Sequence, residues 1–579
     1  MKVIWIALLL LPLAPAQTAS TQPGQPASSN PPTPGQVDNG NVKPEDKCTV
    51  EGKILNSMTG EPLKKAHVTL RRMDSTTFNA PPYGAVTDAG GHFAIVNIDP
   101  GRYHLSVERT GYARSENTPR NLKSSPDTLT LAAAQKLADL QFKLVPQAVI
   151  TGRVVDEDNE PLAGISVQCS RYSYMNGKKT LLPSTAASTN DKGEYRAYGL
   201  AAGKYYVAAS MRQMSMMPEI RTETTPEEDY VPTYYPNSLD PGGAVQVNAV
   251  AGAETSGVDI RLLRAKTFQV AGKIMNALKP TAPVQINLSK HDSSGAGMYN
   301  WDRTKHTMSD PKGGFLFRGV MPGTYDVEAM EFGEDQTRVA LAQVTVGDSS
   351  IDGLQVAFVA NPDVPGVLKV ENAPNQGQQS GSGGSAAGYH IYLQPESNIM
   401  NVGRSGGEVK DDGTFTLKNV LPMKYRVYVN PLQSDAYVKQ ISVGNEEAVD
   451  ERVDFSAGAD GKQITVVVSA NGGHIEGNAQ DDKQQPAPHA TVVLVPDRTD
   501  ATQRYKTGST DQNGHYVLRG IAPGKYKLYA LDHIDPGAYA DPAYMETFQG
   551  KATSLEITEG AKVTQDLALI VNEDDGAAH

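Results

Sequence analysis

The sequence predicts an all-β protein, a tandem array of about five Ig-like β-sandwich domains. A signature phrase recurs five times: DAGGHFAIVNIDPGRYHLSV from Asp88, DKGEYRAYGLAAGKYYVAA from Asp191, DPKGGFLFRGVMPGTYDVEA from Asp310, DDGTFTLKNVLPMKYRVYV from Asp411 and DQNGHYVLRGIAPGKYKLYA from Asp511. Its aromatics, Phe93, Tyr195, Phe315, Phe415 and Tyr516, are spaced by 102, 120, 100 and 101 residues. Apolar residues between the copies alternate with period 2, the mark of half-buried strands. Helical periodicity is nearly absent, and 131–139 is the only stretch that invites a helix. A chain of 579 residues also exceeds what one core supports.

Each copy opens with a strand carrying a central glycine: Val50/Gly52/Ile54, Ile150/Gly152/Val154, Val270/Gly272/Ile274, Val364/Gly366/Leu368 and Ile475/Gly477/Ala479. Glycine inside a strand marks a bulge or a close backbone approach. A second strand follows a turn, at Ala66/Val68/Leu70, Ile165/Val167/Cys169, Val284/Ile286/Leu288, Tyr389/Ile391/Leu393 and Ala490/Val492/Leu494. The signature then supplies a hairpin, because Asp bonds its own backbone two residues on and Gly accepts the positive φ of a tight turn. Pro-Gly bends the chain back to Tyr103, Tyr205, Tyr325, Tyr425 and Tyr526, with Met423 in place of Gly in the fourth copy predicting a looser bend there. Closing strands are expected at Leu140/Phe142/Leu144, Val258/Ile260/Leu262, Leu354/Val356/Phe358, Val453/Phe455 and Leu567/Leu569. Roughly seven short strands per hundred residues is a sandwich profile.

The resulting division is a signal peptide at 1–16, a disordered linker at 17–47 and repeats at 48–146, 147–265, 266–360, 361–462 and 463–571, with an acidic tail at 572–579. The second repeat carries a Tyr-rich insertion and the fourth a Gly/Ser loop. Short joints between repeats favour a semi-rigid rod, on the order of 150–200 Å long if fully extended.

Lys2 followed by the apolar run Val3–Leu13 and the small residues Ala14-Pro15-Ala16 reads as a secretory signal, implying a secreted or periplasmic chain. No later run reaches the length of a membrane-spanning helix, so no transmembrane segment is expected after cleavage. Net charge is −12 without a basic block, which argues against nucleic acid. An exported chain can oxidise its two cysteines, Cys48 and Cys169, into a disulfide. Aligned with the first repeat, however, Cys169 falls at the place of Leu70, a buried hydrophobe.

The opening Gly strand, the Asp-x-x-Gly-aromatic turn and the Pro-Gly-x-Tyr return resemble the carboxypeptidase regulatory-like domain, over about residues 48–571. That resemblance implies a prealbumin-like (transthyretin-like) sandwich, close to the carbohydrate-binding-like fold. Tandem arrays with YVPTYYP followed by VDIRL are similar to secreted proteins of Gram-negative soil bacteria. In the family the domain accompanies a peptidase or a transporter barrel, and neither is recognisable in this sequence. A cousin of this fold, the collagen-adhesin B-type domain, carries a Lys–Asn isopeptide crosslink, and Lys53 and Lys273 follow the opening Gly where such a lysine would be sought. Alternation puts both lysines on the face away from the core, and no closing strand carries the Asn.

No catalytic constellation stands out, and no enzyme, cofactor or metal is expected. HExxH is missing, and Gly403-x-Ser405-x-Gly407 precedes a hairpin rather than the strand–turn–helix of a nucleophile elbow. Asp156–Glu160 reads as an acidic turn or a partial calcium loop. Met211, Met214, Met216 and Met217 offer soft ligands for Cu(I), although Met211 continues the inward face of Val207 and Ala209. Beyond the framework residues Tyr195 and Tyr205, the second repeat has extra tyrosines at Tyr172, Tyr174, Tyr198, Tyr206, Tyr230, Tyr234 and Tyr235. Tyr172, Tyr174, Tyr230, Tyr234 and Tyr235 are the candidate ligand-binding set, since rigid rings stack on sugars. The alternative is that the 212–244 insertion covers its own sandwich or fastens repeats 2 and 3. A counterpart in repeat 5 carries Tyr539, Tyr544 and Phe548. The expected function is binding or scaffolding at the cell envelope, with polysaccharide or cell-envelope glycan as ligand. A structural stalk binding an envelope protein, or a subunit docking on a separate peptidase or outer-membrane transporter, is the alternative.

Overall fold

A computed structural model describes residues 42–73, 81–113, 128–175, 178–211, 228–278, 282–291, 304–332, 337–359, 361–372, 388–396, 405–432, 434–498 and 504–572. The expected signal peptide, Met214, Met216, Met217, Gly403 and nearly all of the acidic tail lie outside these residues. So does the linker up to residue 41, but its end is not a tether: Pro44–Asp46 forms a 3₁₀ turn and Lys47 pairs with Asp99. The sandwiches all belong to one compact unit, Pro44–His579.

In the first sandwich one sheet orders His92–Ile98, Cys48–Asn56 and Lys136–Leu144. The facing sheet orders Tyr83–Val86, His67–Arg72, Gly101–Glu108 and Thr128–Leu131. The opening strand runs antiparallel to the signature strand and parallel to the closing one. Inward residues of both sheets, among them Val50, Ile54, Leu70, Tyr103 and Phe142, make a single core. The third sandwich repeats this three-plus-four plan. In the fifth, Leu567–Ile570 pairs with both Gly524–Leu531 and Gly473–Gln480, joining the two sheets.

The opening glycine is explained by the signature aromatic. A Cβ on Gly52 would lie 2.8 Å from the Phe93 ring and also against the closing-strand backbone at Leu140. Gly272 meets Phe315 in the same way. Repeat and aromatic are thus one packing unit.

The signature turn closes through a side-chain carbonyl or carboxylate oxygen. Asp88 Oδ1 accepts from the amides of Gly90 (2.8 Å) and His92 (2.9 Å), with Gly91 at φ 75°. Asp310 and Asp511 do the same. In the second copy Asn190, not Asp191, fills the role, accepting from Lys192 and Glu194. In the fourth copy Lys410 holds that turn position, and Asp412, two residues on, accepts only from Thr414. Phenol hydrogen bonds fix the return: Tyr103, Tyr205, Tyr325 and Tyr526 each donate to the carbonyl four residues back, at 2.7–2.8 Å. In the fourth copy, with Met423 at the bend, Tyr425 instead accepts from the Leu421 amide at 3.1 Å.

Several expectations are corrected. Residues 131–139 form no helix; strand Thr128–Leu131 ends there and strand Lys136–Leu144 begins. Val453 and Phe455 are core residues, but Arg452–Asp454 pairs in the second sheet. The strand parallel to Val364–Glu371 is Ile464–Ser469, whose Ile464, Val466 and Val468 fill the fourth core, so that sandwich continues past 462. Met211 is 50% exposed rather than part of the core, although it pairs with buried Ile165. Cys48 and Cys169 are free thiols in separate cores rather than a disulfide.

The rod expectation also fails. An extended array would hold the first and fifth sandwiches at opposite ends, yet they hydrogen-bond. Gln512 Nε2 donates to the Thr130 carbonyl (2.8 Å), its Oε1 accepts from the Thr130 amide (3.1 Å), and Thr130 Oγ1 donates to Asp511 (2.8 Å). The Gln512 amide therefore pairs with an edge strand as a neighbouring strand would.

Candidate functional site

The tyrosines singled out in repeats 2 and 5 meet in part. Long strands Ile165–Met175 and Lys178–Ser188 form a hairpin that carries Tyr172 and Tyr174 beyond their own core. In the fifth sandwich the segment after Gly524–Leu531 turns through Ala538–Ala540 and a short helix, Pro542–Glu546. Asp541 caps that helix, accepting from the amides of Ala543 (3.0 Å) and Tyr544 (3.4 Å), with proline at the first position. Tyr174 packs on Tyr544 with ring centroids 5.8 Å apart. Burial and the carboxylates of Asp541 and Asp535 push its phenol pKa up.

A pocket of about 170 Å³ lies at this seam, lined by Tyr172, Tyr174, Lys179, His533, Asp535 and Tyr544. Hydrogen bonding from His533 holds the Asp535 carboxyl below its usual range. Tyr172 is 41% exposed, edge-on to Tyr206 at 5.5 Å, with Lys179 over its ring. Tyr544 is tied down by Asn572, whose Nδ2 donates to its hydroxyl at 2.8 Å.

The rest of the candidate set lies elsewhere. Tyr234 is buried, and Tyr235 and Tyr230 pack on the second core. Tyr230 donates to Glu157 (3.1 Å) beneath the Arg264 guanidinium, 4.8 Å from the ring centroid. Strand Glu228–Val231 pairs with Leu263–Lys266 at the joint, and Asp229 faces Gly319 of the third sandwich. The described part of the insertion thus covers its own sandwich and adjoins the next. Asp156 is spent on its own turn, accepting from the amides of Asp158 and Glu160. No three His, Cys, Asp or Glu side chains converge among the described residues.

A second, larger concavity lies beside Tyr539 of the repeat-5 counterpart. In the fifth sandwich the outer face of Thr491–Pro496 and Gly524–Leu531 is apolar, and Ile534, Ala538, Met545 and Phe548 form a second core on it. Beside that cover opens a groove of about 370 Å³. Val495, Tyr505, Tyr529 and Met545 make its floor and Tyr539 one wall, with Tyr505 and Tyr539 at 6.1 Å. Only Tyr539, Tyr544 and Phe548 signalled this layer in the sequence; the five-residue helix is too short for periodicity to show.

The carboxypeptidase regulatory-like domain is the family whose model matches, over residues 49–145. That match falls on the first sandwich. The chain is also similar to the BOS complex subunit NOMO1 of Mus musculus, 22% identical over 298 residues, which are 49% of this chain and 22% of that one. It therefore spans about a fifth of that relative's length. Among solved structures, the minor pilin GBS52 of Streptococcus agalactiae aligns at 13% identity over 38% of this chain and 96% of its own, with a TM-score of 0.22. A streptococcal ancillary pilin aligns at 11% over 54% and 99%, with a TM-score of 0.18. Superpositions at that level bear on neither ligand nor assembly. No described helix is long and apolar enough to cross a membrane.

Proposed function

We propose that this is a non-catalytic scaffold of the extracytoplasmic space, exported by its first sixteen residues, in which the sandwiches act as one body rather than as a spacer. The observation that carries this reading is the paired contact of Gln512 with Thr130. A spacer gains nothing from joining its two ends. Further contacts support it: Glu559 of the fifth sandwich accepts from Ser469 (2.6 Å), Asn372 (3.0 Å) and Tyr437 (3.2 Å) of the fourth. Met330 and Val339 of the third enter the fourth core. Amine cross-linking of the purified monomer, read by mass spectrometry, tests it. Cross-links between residues 48–144 and 473–570 are expected; their absence would leave a stalk.

A second reading, carbohydrate binding by this scaffold, is favoured by tyrosine surface left open after the sandwiches pack, namely Tyr172 and the walls of the fifth-sandwich groove. Polysaccharide or cell-envelope glycan is the ligand class. Retention of the chain on insoluble polysaccharides tests it, and failure on every matrix sinks it.

A further inference from the structure

We propose that the groove of the fifth sandwich is a binding site for a neutral pyranose oligosaccharide; this rests on the carbohydrate reading and gives it a place and a charge. The groove is built rather than incidental. It exists because the only α-helix among the described residues, Pro542–Glu546, is capped onto a sheet face that would otherwise meet water. The buried rings of Tyr505 and Tyr529 hold the floor rigid, and half-buried Tyr539, leaning on Tyr505, is the ring left to face a ligand. Pyranoses present an apolar C–H face suited to such rings and an edge of hydroxyls that both donate and accept.

The rim meets that edge. Asp497, Lys527, Glu546 and Gln549 line the groove, and none of their side chains makes a hydrogen bond or ion pair among the described residues. Two carboxylates and an amide oxygen accept, while an ammonium and an amide nitrogen donate. One positive against two negative groups leaves the rim at −1 on a chain of net charge −12, which disfavours uronate, sulfate or phosphate sugars. The volume falls within the usual small-ligand range of roughly 300–1,000 Å³. The seam pocket at Tyr174 is smaller, and its Tyr544 is already held by Asn572.

The test is calorimetric titration of the full chain with maltohexaose, cellohexaose and chitohexaose, with polygalacturonate as the anionic probe, beside retention on insoluble polysaccharides. Binding of at least one neutral hexasaccharide and none of polygalacturonate is expected. Tyr539→Ala should weaken it up to about tenfold, the worth of one aromatic contact. Glu546→Gln, at an exposed position, should weaken it severalfold and decides the matter if Tyr539→Ala misfolds. Tyr172→Ala should change nothing. Binding that survives both groove variants but is lost in Tyr172→Ala overturns the groove and keeps the carbohydrate reading. Binding to no probe and no matrix overturns both.

Discussion

Gly52 shows how one atom can set the architecture. The space its missing Cβ leaves is filled by Phe93 and the Leu140 backbone, so the opening strand, signature hairpin and closing strand meet at that point. Gly52→Ala is expected to cost about 1–3 kcal/mol through overpacking, read as a lowered denaturation midpoint. Glu328 is a different kind of residue-scale commitment. It is 3% exposed, its Oε2 accepts from Asn287 Nδ2 at 3.2 Å, and its Oε1 has no partner among the described residues. Burial raises its carboxyl from 4.5 to about 7. Between those pH values the folded chain keeps a proton that the unfolded chain has lost. Stability therefore falls as pH rises through that window, by about 3 kcal/mol in all, and levels off above it. The nearby His306, which burial lowers, acts oppositely: acidification costs stability there. The difference between wild type and Glu328→Gln across pH 4.5–7 isolates the carboxyl's share, and a flat difference would refute it.

At the scale of elements, the strands were legible because period-2 alternation and the turn residues are local signals. Val50, Ile54, Val68 and Leu70 fell inward as their spacing required. The fourth closing strand was not legible: Val453/Phe455 and Ile464/Val466/Val468 alternate equally well. Only parallel pairing with Val364–Glu371, a contact about a hundred residues away, separates them. Asn190 and Asp191 are both side chains that can close the turn, and register alone decides for Asn190. The cover over the fifth sandwich hides for another reason, since its helix is specified by a cap and a proline rather than by an apolar stripe. Asp541→Ala is expected to destabilise it by about 1 kcal/mol. Hydrogen exchange should speed up within 541–552 and leave Gly473–Gln480 unchanged; uniform acceleration would mean that the cover and sandwich unfold as one.

At the scale of the whole unit, the sequence reading of repeats held while the reading of their arrangement did not. Joint length argues for stiffness between neighbours but says nothing about the direction in which small rotations accumulate. The residue that joins the ends, Gln512, has no sequence signal: other copies carry Ala89 and Pro311 at its place, and nothing marks it as a partner for an edge strand. The same holds for the tyrosines. Their clustering was visible, but whether a ring faces water or another sandwich depends on that arrangement, as Tyr172 and Tyr174 show from one strand. Gln512→Ala is expected to speed exchange at the Thr130 amide, and an unchanged rate would show that the contact carries no weight. Small-angle scattering from the monomeric chain tests the central claim most directly. With the first and fifth sandwiches in contact the array turns back on itself, so a radius of gyration between the roughly 24 Å of one globule of this size and about 40 Å is expected. A rod of about 150–200 Å from strand rise would instead give a value above about 43 Å, and that result would contradict a scaffold that closes on itself.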